Sequence, residues 1–165
     1  VESKPGKGTK FTVEIPLELA SEGDICKKEL PEQTFMTDKN IGKRILLAED
    51  NELNAEIAME LLKEEGFLID WVKDGQECFD KLEESDDGYY DLILMDIQMP
   101  NMDGYEATRR IRCIQNARSA VPIVAMTANA FDENKKKAYD AGMNGYIAKP
   151  IDAKVVFSTL GEILL

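Results

Sequence analysis

Short apolar runs alternate with amphipathic stretches along residues 43–165. The five runs are typical of strands and centre near Ile45, Leu68, Leu92, Ile123 and Tyr146. After each run, apolar residues recur every three or four positions, which is the period of a helix with one buried face. Strands that alternate with helices predict an α/β domain whose parallel sheet is doubly wound and buried on both faces.

Two of the predicted helices carry the clearest apolar periods. The first follows the run at Ile45, and the last follows the run at Tyr146 and would pack against the sheet. Their apolar positions are, for the first helix, Leu53, Ile57, Leu61 and Leu62, and for the last, Ile151, Val155, Leu160, Ile163 and Leu164.

Polar groups stand at the carboxyl ends of four apolar runs. Glu49 and Asp50 follow the first run, Asp96 ends the third, Thr127 ends the fourth and Lys149 ends the fifth. Each has an ordinary explanation when taken alone, such as a helix cap, a turn residue or a solvated surface charge. Together they are hard to explain by packing, because ligand chemistry in parallel sheets gathers at the carboxyl ends of the strands.

The combination is typical of a phosphoryl and Mg²⁺ site. Adjacent carboxylates repel each other unless a cation binds them, and a helix cap would need only one acid. Magnesium takes oxygen ligands and keeps several waters, which suits Asp50 and Asp96 directly, Glu49 through water and one backbone carbonyl. Lys149 and Thr127 would contact phosphoryl oxygens. A carboxylate is a competent nucleophile toward phosphorus once cations neutralise the transferring group.

Residues 43–165 resemble a response-regulator receiver domain, because all of these motifs occur in the order found in that family. The resemblance implies that Asp96 is the phosphoacceptor, that Glu49 and Asp50 are the acidic pair, and that the Gln98 carbonyl completes the Mg²⁺ shell. It also implies a flavodoxin-like (βα)5 sheet of order 2-1-3-4-5, which makes Asp50 and Asp96 neighbours. The pair is Glu-Asp where many members have Asp-Asp, a variant that should leave coordination by Asp50 intact.

The same resemblance assigns a conformational switch. Thr127 would be the switch hydroxyl, and Tyr146 would be the aromatic residue that moves inward when Thr127 turns toward the phosphoryl group. Lys149 would pair with that group, and the backbone N–H of Ala128 would contact it. The Lys149–Pro150 peptide would be cis. The donor would be a kinase or phosphotransfer domain that carries a phosphohistidine, since the chain itself contains no histidine.

Two other functions fit the sequence less well than that of a phosphoacceptor. Enzymes of the haloacid dehalogenase type also use an Asp after a strand, but their motif needs a second acid two residues later, where this chain has Gln98. A pseudo-receiver that only docks partners is expected to have lost Asp96, an acid of the pair or Lys149, and none is lost. As an enzyme, the chain would catalyse at most its own phosphorylation and dephosphorylation.

The first residues suggest a second unit. Residues 1–17 predict a glycine turn and a strand, and they resemble the end of the ATP-binding domain of sensor histidine kinases, with Gly6 and Gly8 in the family's glycine positions. A generic hairpin rich in glycine and lysine is the alternative. Residues 18–42 are mostly polar, without a sustained period, and predict a linker. Taken together, the three segments resemble the carboxyl end of a hybrid histidine kinase, with the receiver at 43–165.

Composition limits the partners. A net charge of −12 and a pI near 4.5 argue against nucleic-acid binding. No apolar run is long enough to cross a membrane, so we expect no membrane contact by this chain, with membrane anchoring of the parent left open. The three cysteines, Cys26, Cys78 and Cys113, lack metal-ligand spacing, and their odd number without a signal peptide predicts a reducing cytoplasm.

Overall fold

The computed structural model describes residues 1–4, 6, 8–10, 12, 14, 41–128 and 132–164, with only the backbone described at residues 3 and 132–134. The chain divides into two compact units, Val1–Gln33 and Thr34–Leu165. Most of the predicted linker, residues 18–42, lies outside the described residues. So do most of residues 11–17 and Cys26.

The described part of the first unit is an antiparallel hairpin of β1 (Glu2–Lys4) and β2 (Gly8–Lys10). Gly6 and Gly8 have φ values of 73° and 91°, a backbone conformation that glycine adopts without steric cost. The predicted glycine turn is thus present.

The second unit is built on a five-stranded parallel sheet. Its order is β4-β3-β5-β6-β7, which is 2-1-3-4-5 when the strands are counted from β3, as predicted. Every strand predicted within residues 43–165 is present, whereas the strand predicted after the glycine turn of residues 1–17 lies mostly outside the described residues. The strands are β3 (Arg44–Ala48), β4 (Leu68–Val72), β5 (Leu92–Asp96), β6 (Ile123–Thr127) and β7 (Gly145–Ala148).

In the part of the chain that the structure describes, five α-helices follow the strands of the sheet, and a short 3₁₀ helix, Ala117–Ala120, precedes β6. The first three helices begin at side-chain caps, where Asn51, Asp74 and Asp103 each accept a hydrogen bond from the backbone N–H three residues later. Among the described residues, no helix is long and apolar enough to span a bilayer. The helices are α1 (Glu52–Glu64), α2 (Gly75–Glu84), α3 (Gly104–Arg112), α4 (Asp132–Ala141) and α5 (Ala153–Leu164).

The core forms one layer on each face of the sheet. Ile45 and Leu94 belong to the layer that α1 and α5 cover, whereas Leu46 and Ile93 belong to the layer beneath α2, α3 and α4. Successive residues of a strand point to opposite faces, so a strand covered on both faces reads as a continuous apolar run. This explains why the central strands could be predicted from sequence.

Helix α1 is present as predicted, but its buried stripe is narrower than its apolar period suggests. Ala55, Ala58 and Leu62 are buried, whereas Leu53 and Ile57 are 65% and 50% exposed. Small alanine side chains allow the helix to pack closely on the sheet. The larger apolar residues of its first two turns consequently face solvent.

Candidate active site at the carboxyl end of the sheet

Three carboxylates converge where β3 and β5 end. One oxygen from each of Glu49, Asp50 and Asp96 lies within 4.8 Å of the other two. Glu49 and Asp96 are 1% and 6% exposed, while Asp50 is exposed. The strands are neighbours, with Ala48 paired to Met95, so the residues that follow them meet at one edge. Such proximity of like charges is unfavourable unless cations are present.

Lys149 supplies a positive charge to this cluster. Its Nζ donates to Glu49 Oε2 at 2.5 Å and to Asp96 Oδ2 at 2.7 Å, and its side chain is only 15% exposed. Burial opposes the charged form, but hydrogen bonds and attraction from Asp96 and Glu49 outweigh it and hold the pKa of Lys149 above its ordinary value. This ammonium pairs with two of the three carboxylates, so the four groups together carry an excess of negative charge.

The backbone around Lys149 brings Thr127 to the same edge. Thr127 pairs with Ala148 in the sheet, and the Lys149 N–H donates to the Thr127 carbonyl at 2.7 Å. The Lys149–Pro150 peptide is cis, as the resemblance implied. Thr127 and Lys149 therefore extend from adjacent strands on the same side as the acids.

The second oxygen of Asp96 is bonded to the loop that follows it. The backbone N–H of Gln98 donates to Asp96 Oδ1 at 3.2 Å. Gly104, the first residue of α3, allows the main chain of that helix to touch the main chain of Asp96, because a Cβ there would lie 2.2 Å from the Asp96 carbonyl oxygen. Gln98 thus lies beside Asp96, and coordination by its carbonyl stays a prediction.

Ala128 and Tyr146 lie on the two sides of this edge. Ala128 is exposed and lines an open cleft of about 440 Å³ together with Asn54, Ile57, Lys149, Pro150 and Ile151. Tyr146 pairs with Ala125, packs partly against the layer beneath α4, and has the Lys135 ammonium 4.5 Å from its ring centroid. Their roles in phosphoryl binding and switching stay predictions.

The donor set fits a hard divalent cation. Oxygen atoms alone form the cluster of Glu49, Asp50 and Asp96, and no cysteine is part of it. Carboxylate and carbonyl oxygens are the ligands that Mg²⁺ prefers, whereas softer metals select thiolate or imidazole. The exposed position of Asp50 also leaves room for the waters that Mg²⁺ retains.

Sequence reasoning missed several residues that hold the site. Asn54 Nδ2 donates to Glu49 Oε1 at 3.0 Å. Buried Asp74 accepts a hydrogen bond from Asn101 Nδ2 at 2.7 Å, and this fixes the loop after β5, where Asn101 has a φ of 60°. Asp74 is followed by Gly75, and such an Asp-Gly pair is a turn signal. This local signal indicates a turn at Asp74, but it does not indicate that the distant residue Asn101 bonds to Asp74.

Comparison with known proteins places this arrangement in a family. Residues 45–160 match the response regulator receiver domain. The autoinducer 2 sensor kinase/phosphatase LuxQ of Vibrio cholerae is 34% identical over 162 residues, which are 97% of this chain and 18% of LuxQ. The sensor protein EvgS of Escherichia coli is 32% identical over 163 residues, 99% of this chain and 13% of EvgS. The chain thus spans less than a fifth of these relatives.

Solved structures agree with that match. The receiver domain of sensor histidine kinase PA1611 from Pseudomonas aeruginosa, described with magnesium coordinated in its active-site cleft, is 39% identical with a TM-score of 0.67, covering 74% of this chain and 98% of that one. The Saccharomyces cerevisiae Ssk1 receiver domain, solved with the histidine phosphotransfer protein Ypd1, is 30% identical with a TM-score of 0.66, covering 74% and 89%. The chain belongs to the response regulator receiver domain family, the phosphorelay modules of two-component signalling.

Proposed function

We propose that Asp96 accepts a phosphoryl group from a phosphohistidine on another domain, with Mg²⁺ held at the acidic cluster. The observation that carries this proposal is the convergence of three carboxylates and one buried ammonium at the carboxyl edge of the sheet. Asp96 ends the central strand β5. Its carboxylate would have two cations as neighbours, the Lys149 ammonium and Mg²⁺. An oxygen of Asp96 attacks phosphorus, the P–N bond breaks, and its electron pair returns to the imidazole of the donor.

The residues at this edge have separate roles in the transfer. Asp50 and Asp96 would hold Mg²⁺ directly, Glu49 would act through water, and the Gln98 carbonyl would complete the shell. When bound, Mg²⁺ neutralises negative charge on the transferring oxygens. Lys149 already lies 2.7 Å from Asp96 and would pair with a phosphoryl oxygen after transfer. The ammonium has three N–H groups, and its bonds to Glu49 and Asp96 use two of them, so one remains for a phosphoryl oxygen.

Thr127, Ala128 and Tyr146 would convert phosphorylation into a surface change. The Thr127 hydroxyl and the Ala128 N–H would bind phosphoryl oxygens. Movement of Thr127 toward that group would vacate space for Tyr146 to rotate inward, which is a population shift between two packed states. The placement of Thr127 and Tyr146 on neighbouring strands β6 and β7 supports this coupling.

The donor would dock on the exposed apolar residues of α1. Leu53 and Ile57 are exposed, and Ile57 also lines the cleft that contains Lys149. Exposed apolar patches of this kind often mark protein interfaces. The Ssk1 receiver domain was solved with a histidine phosphotransfer protein. The 165 residues contain no histidine, so a phosphohistidine must come from another domain.

The parent protein would be a hybrid histidine kinase located on the cytoplasmic side. Residues 1–17 would be the last turn and strand of its ATP-binding domain, residues 18–42 a linker, and 43–165 the receiver. The alignments with LuxQ and EvgS support this arrangement, because they cover 97% and 99% of the chain and thus extend beyond the receiver. Kinase activity would reside in parts of the parent outside this chain.

Phosphorylation with acetyl phosphate tests the proposal. The wild-type chain should gain one acid-labile phosphoryl group in Mg²⁺ but not in EDTA, and Asp96→Asn should gain none. Asp91→Asn is a matched control, because Asp91 precedes the same strand at its opposite end and accepts a hydrogen bond from the Arg44 N–H. Mass spectrometry that finds the group on another residue would contradict the assignment. No phosphorylation, together with no binding of beryllofluoride, would indicate a docking module instead.

A further inference from the structure

The single tryptophan of the chain lies beside the acidic pair, on the edge strand β4. Trp71 packs partly against the core layer beneath α1, and its indole Nε1–H donates to the main-chain carbonyl of Glu49 at 2.9 Å. The backbone N–H of Glu49 donates to the Val72 carbonyl at 3.1 Å. Strand β4 therefore holds both main-chain polar groups of Glu49.

The Glu49 carbonyl belongs to the peptide unit that leads into Asp50. A peptide unit is planar, so a fixed carbonyl direction also fixes the positions of the Asp50 nitrogen and Cα, from which the Asp50 side chain extends. Regular pairing of β3 with β4 ends at Ala48 and Val72. Beyond that point the indole N–H takes the place of a strand donor and continues to hold the main chain at the acidic pair.

The indole ring is itself held from the solvent side. The Lys73 ammonium lies 5.2 Å from the centroid of the Trp71 ring and donates to Glu52 Oε1 at 2.9 Å. Glu52 is the first residue of α1, so strand β4 and Lys73, the residue after it, are connected to both ends of the short segment that carries Asp50. The exposed ion pair contributes little to stability by itself, but it keeps the ring close to this segment.

We propose that Trp71 is a positioning residue for the metal site. Its N–H holds the peptide between Glu49 and Asp50, and this directs the Asp50 carboxylate toward the cation. The inference rests on the proposed function, because it requires a cation at the acidic pair. Trp71 acts only through the Glu49 main chain and contacts neither the phosphoryl group nor the metal. Partners of this kind, one step removed from the ligands, are known to tune metal affinity.

A purely structural role for Trp71 makes a different prediction. A partly buried indole N–H needs a partner, and any carbonyl would satisfy it. Loss of such a bond would lower stability and leave Mg²⁺ affinity unchanged. A positioning role requires that Mg²⁺ affinity fall by more than it does in a variant with a comparable loss of stability.

The test compares Trp71→Phe with Tyr90→Phe in the full chain. Tyr90→Phe removes one hydrogen bond, from the Tyr90 hydroxyl to Oδ2 of Asp70, the middle residue of β4, at 2.8 Å. Calorimetric titration with MgCl₂ should show that Trp71→Phe binds Mg²⁺ about fivefold more weakly, which corresponds to one hydrogen bond of about 1 kcal/mol. Tyr90→Phe should keep the wild-type affinity. Urea unfolding in EDTA measures the stability of both.

Two further measurements separate the N–H group from the ring. Benzothienylalanine at position 71 keeps the ring shape but has sulfur in place of the N–H, so it should lose affinity to the same extent even if Trp71→Phe folds poorly. In the wild type, the single indole N–H resonance should shift with Mg²⁺ and saturate in step with the calorimetric titration.

The outcomes distinguish this inference from the proposed function. Wild-type affinity in both Trp71 variants, or an indole resonance that Mg²⁺ does not move, overturns the positioning role alone. A wild-type chain that binds no Mg²⁺ overturns the proposed function and the positioning role with it. Reduced affinity in both Trp71 variants but not in Tyr90→Phe supports the positioning role.

Discussion

The two ends of the parallel sheet both carry clusters of charged residues, but only at the amino end does every charged group of the cluster have a complementary partner. At the amino end, the Arg44 guanidinium lies 3.5 Å from Asp70 and 4.6 Å from the ring centroid of Tyr89. Asp70 also accepts from the Tyr90 hydroxyl, and Asp91 accepts from the Arg44 N–H at 2.7 Å. Each group in this cluster has a complementary partner, so the cluster is explained by folding.

The carboxyl end shows the opposite condition. Three carboxylates lie together there, and the Lys149 ammonium pairs with two of them, Glu49 and Asp96. Two of the three acids are almost fully buried, so water cannot compensate for the excess charge. Polar residues in a sheet are therefore not by themselves a sign of function. An imbalance of charge among buried groups is the feature that separates a reactive site from a structural cluster.

The largest effect is expected from Asp50→Asn. This change should weaken Mg²⁺ binding by more than about tenfold, since it removes a direct ligand. It should not lower stability in EDTA, because it relieves repulsion among the acids. Calorimetry and urea unfolding measure the two quantities. Glu56→Gln, at an exposed position of α1, controls for the change in net charge. Unchanged Mg²⁺ affinity in Asp50→Asn would contradict the ligand assignment.

Asp74→Ala should show that a paired carboxylate at the same end is structural. Burial opposes its charge, but hydrogen bonds from Asn101 and from two backbone N–H groups hold the pKa of Asp74 below its ordinary value. The variant should lose about 2 kcal/mol of stability at neutral pH, since it removes both a helix cap and a hydrogen bond to a charged group.

The pH dependence of that loss follows from the sign of the shift. A pKa lowered by folding gives stability that is present above the unfolded value, near 4, and is lost as the pH falls through the folded value. The difference between wild type and Asp74→Ala should therefore shrink in acid. Asp103→Ala, an exposed cap at the start of α3, should cost only about 1 kcal/mol. A difference between wild type and Asp74→Ala that grows in acid would refute this account.

At the amino end, Arg44→Met should lower stability by about 1 kcal/mol, since it removes one ion pair and one cation–π contact, both partly exposed. Mg²⁺ affinity and phosphorylation by acetyl phosphate should stay at wild-type levels. The contrast between the two ends would fail if Arg44→Met weakened Mg²⁺ binding, because the amino-end cluster would then contribute to the site.

The smallest effect is expected from deletion of residues 1–42. A nucleotide site requires a complete ATP-binding domain, and these residues would supply only one turn and one strand. The shortened chain should keep its Mg²⁺ affinity and its rate of phosphorylation by acetyl phosphate, and the full chain should not bind ATP. A large loss of either property, or ATP binding that disappears with the deletion, would show that the domain boundary is misplaced.

The sequence was sufficient for the features that depend on regular repetition. Strands such as Leu92–Asp96 appear as continuous apolar runs because both faces of the sheet are covered. Parallel topology then brings the residues after each run to a common edge, so the grouping of Glu49, Asp50 and Asp96 could be anticipated. The order of the motifs along the chain indicated the resemblance to the receiver family, and that resemblance predicted the strand order.

Contacts between distant segments could not be anticipated. The bonds from Asn101 to Asp74 and from Trp71 to Glu49 join residues more than twenty positions apart, and no local pattern encodes them. The buried face of α1 was also hidden, because Ala55 and Ala58 are small and do not stand out in an apolar period, whereas the exposed Leu53 does. Close packing, not hydrophobicity alone, determined that face.

The glycine at the start of α3 restricts how the domain can respond to phosphorylation. At Gly104 the helix backbone touches the Asp96 carbonyl so closely that even a methyl group would not fit. Strand β5 and α3 should therefore move as one stiff body, with no compressible side chain between them. The added bulk of a phosphoryl group must be accommodated on the opposite side, by the segments that carry Thr127 and Lys149. The structural response to phosphorylation should thus occur on one side of the site only, toward the edge of the sheet formed by β6 and β7.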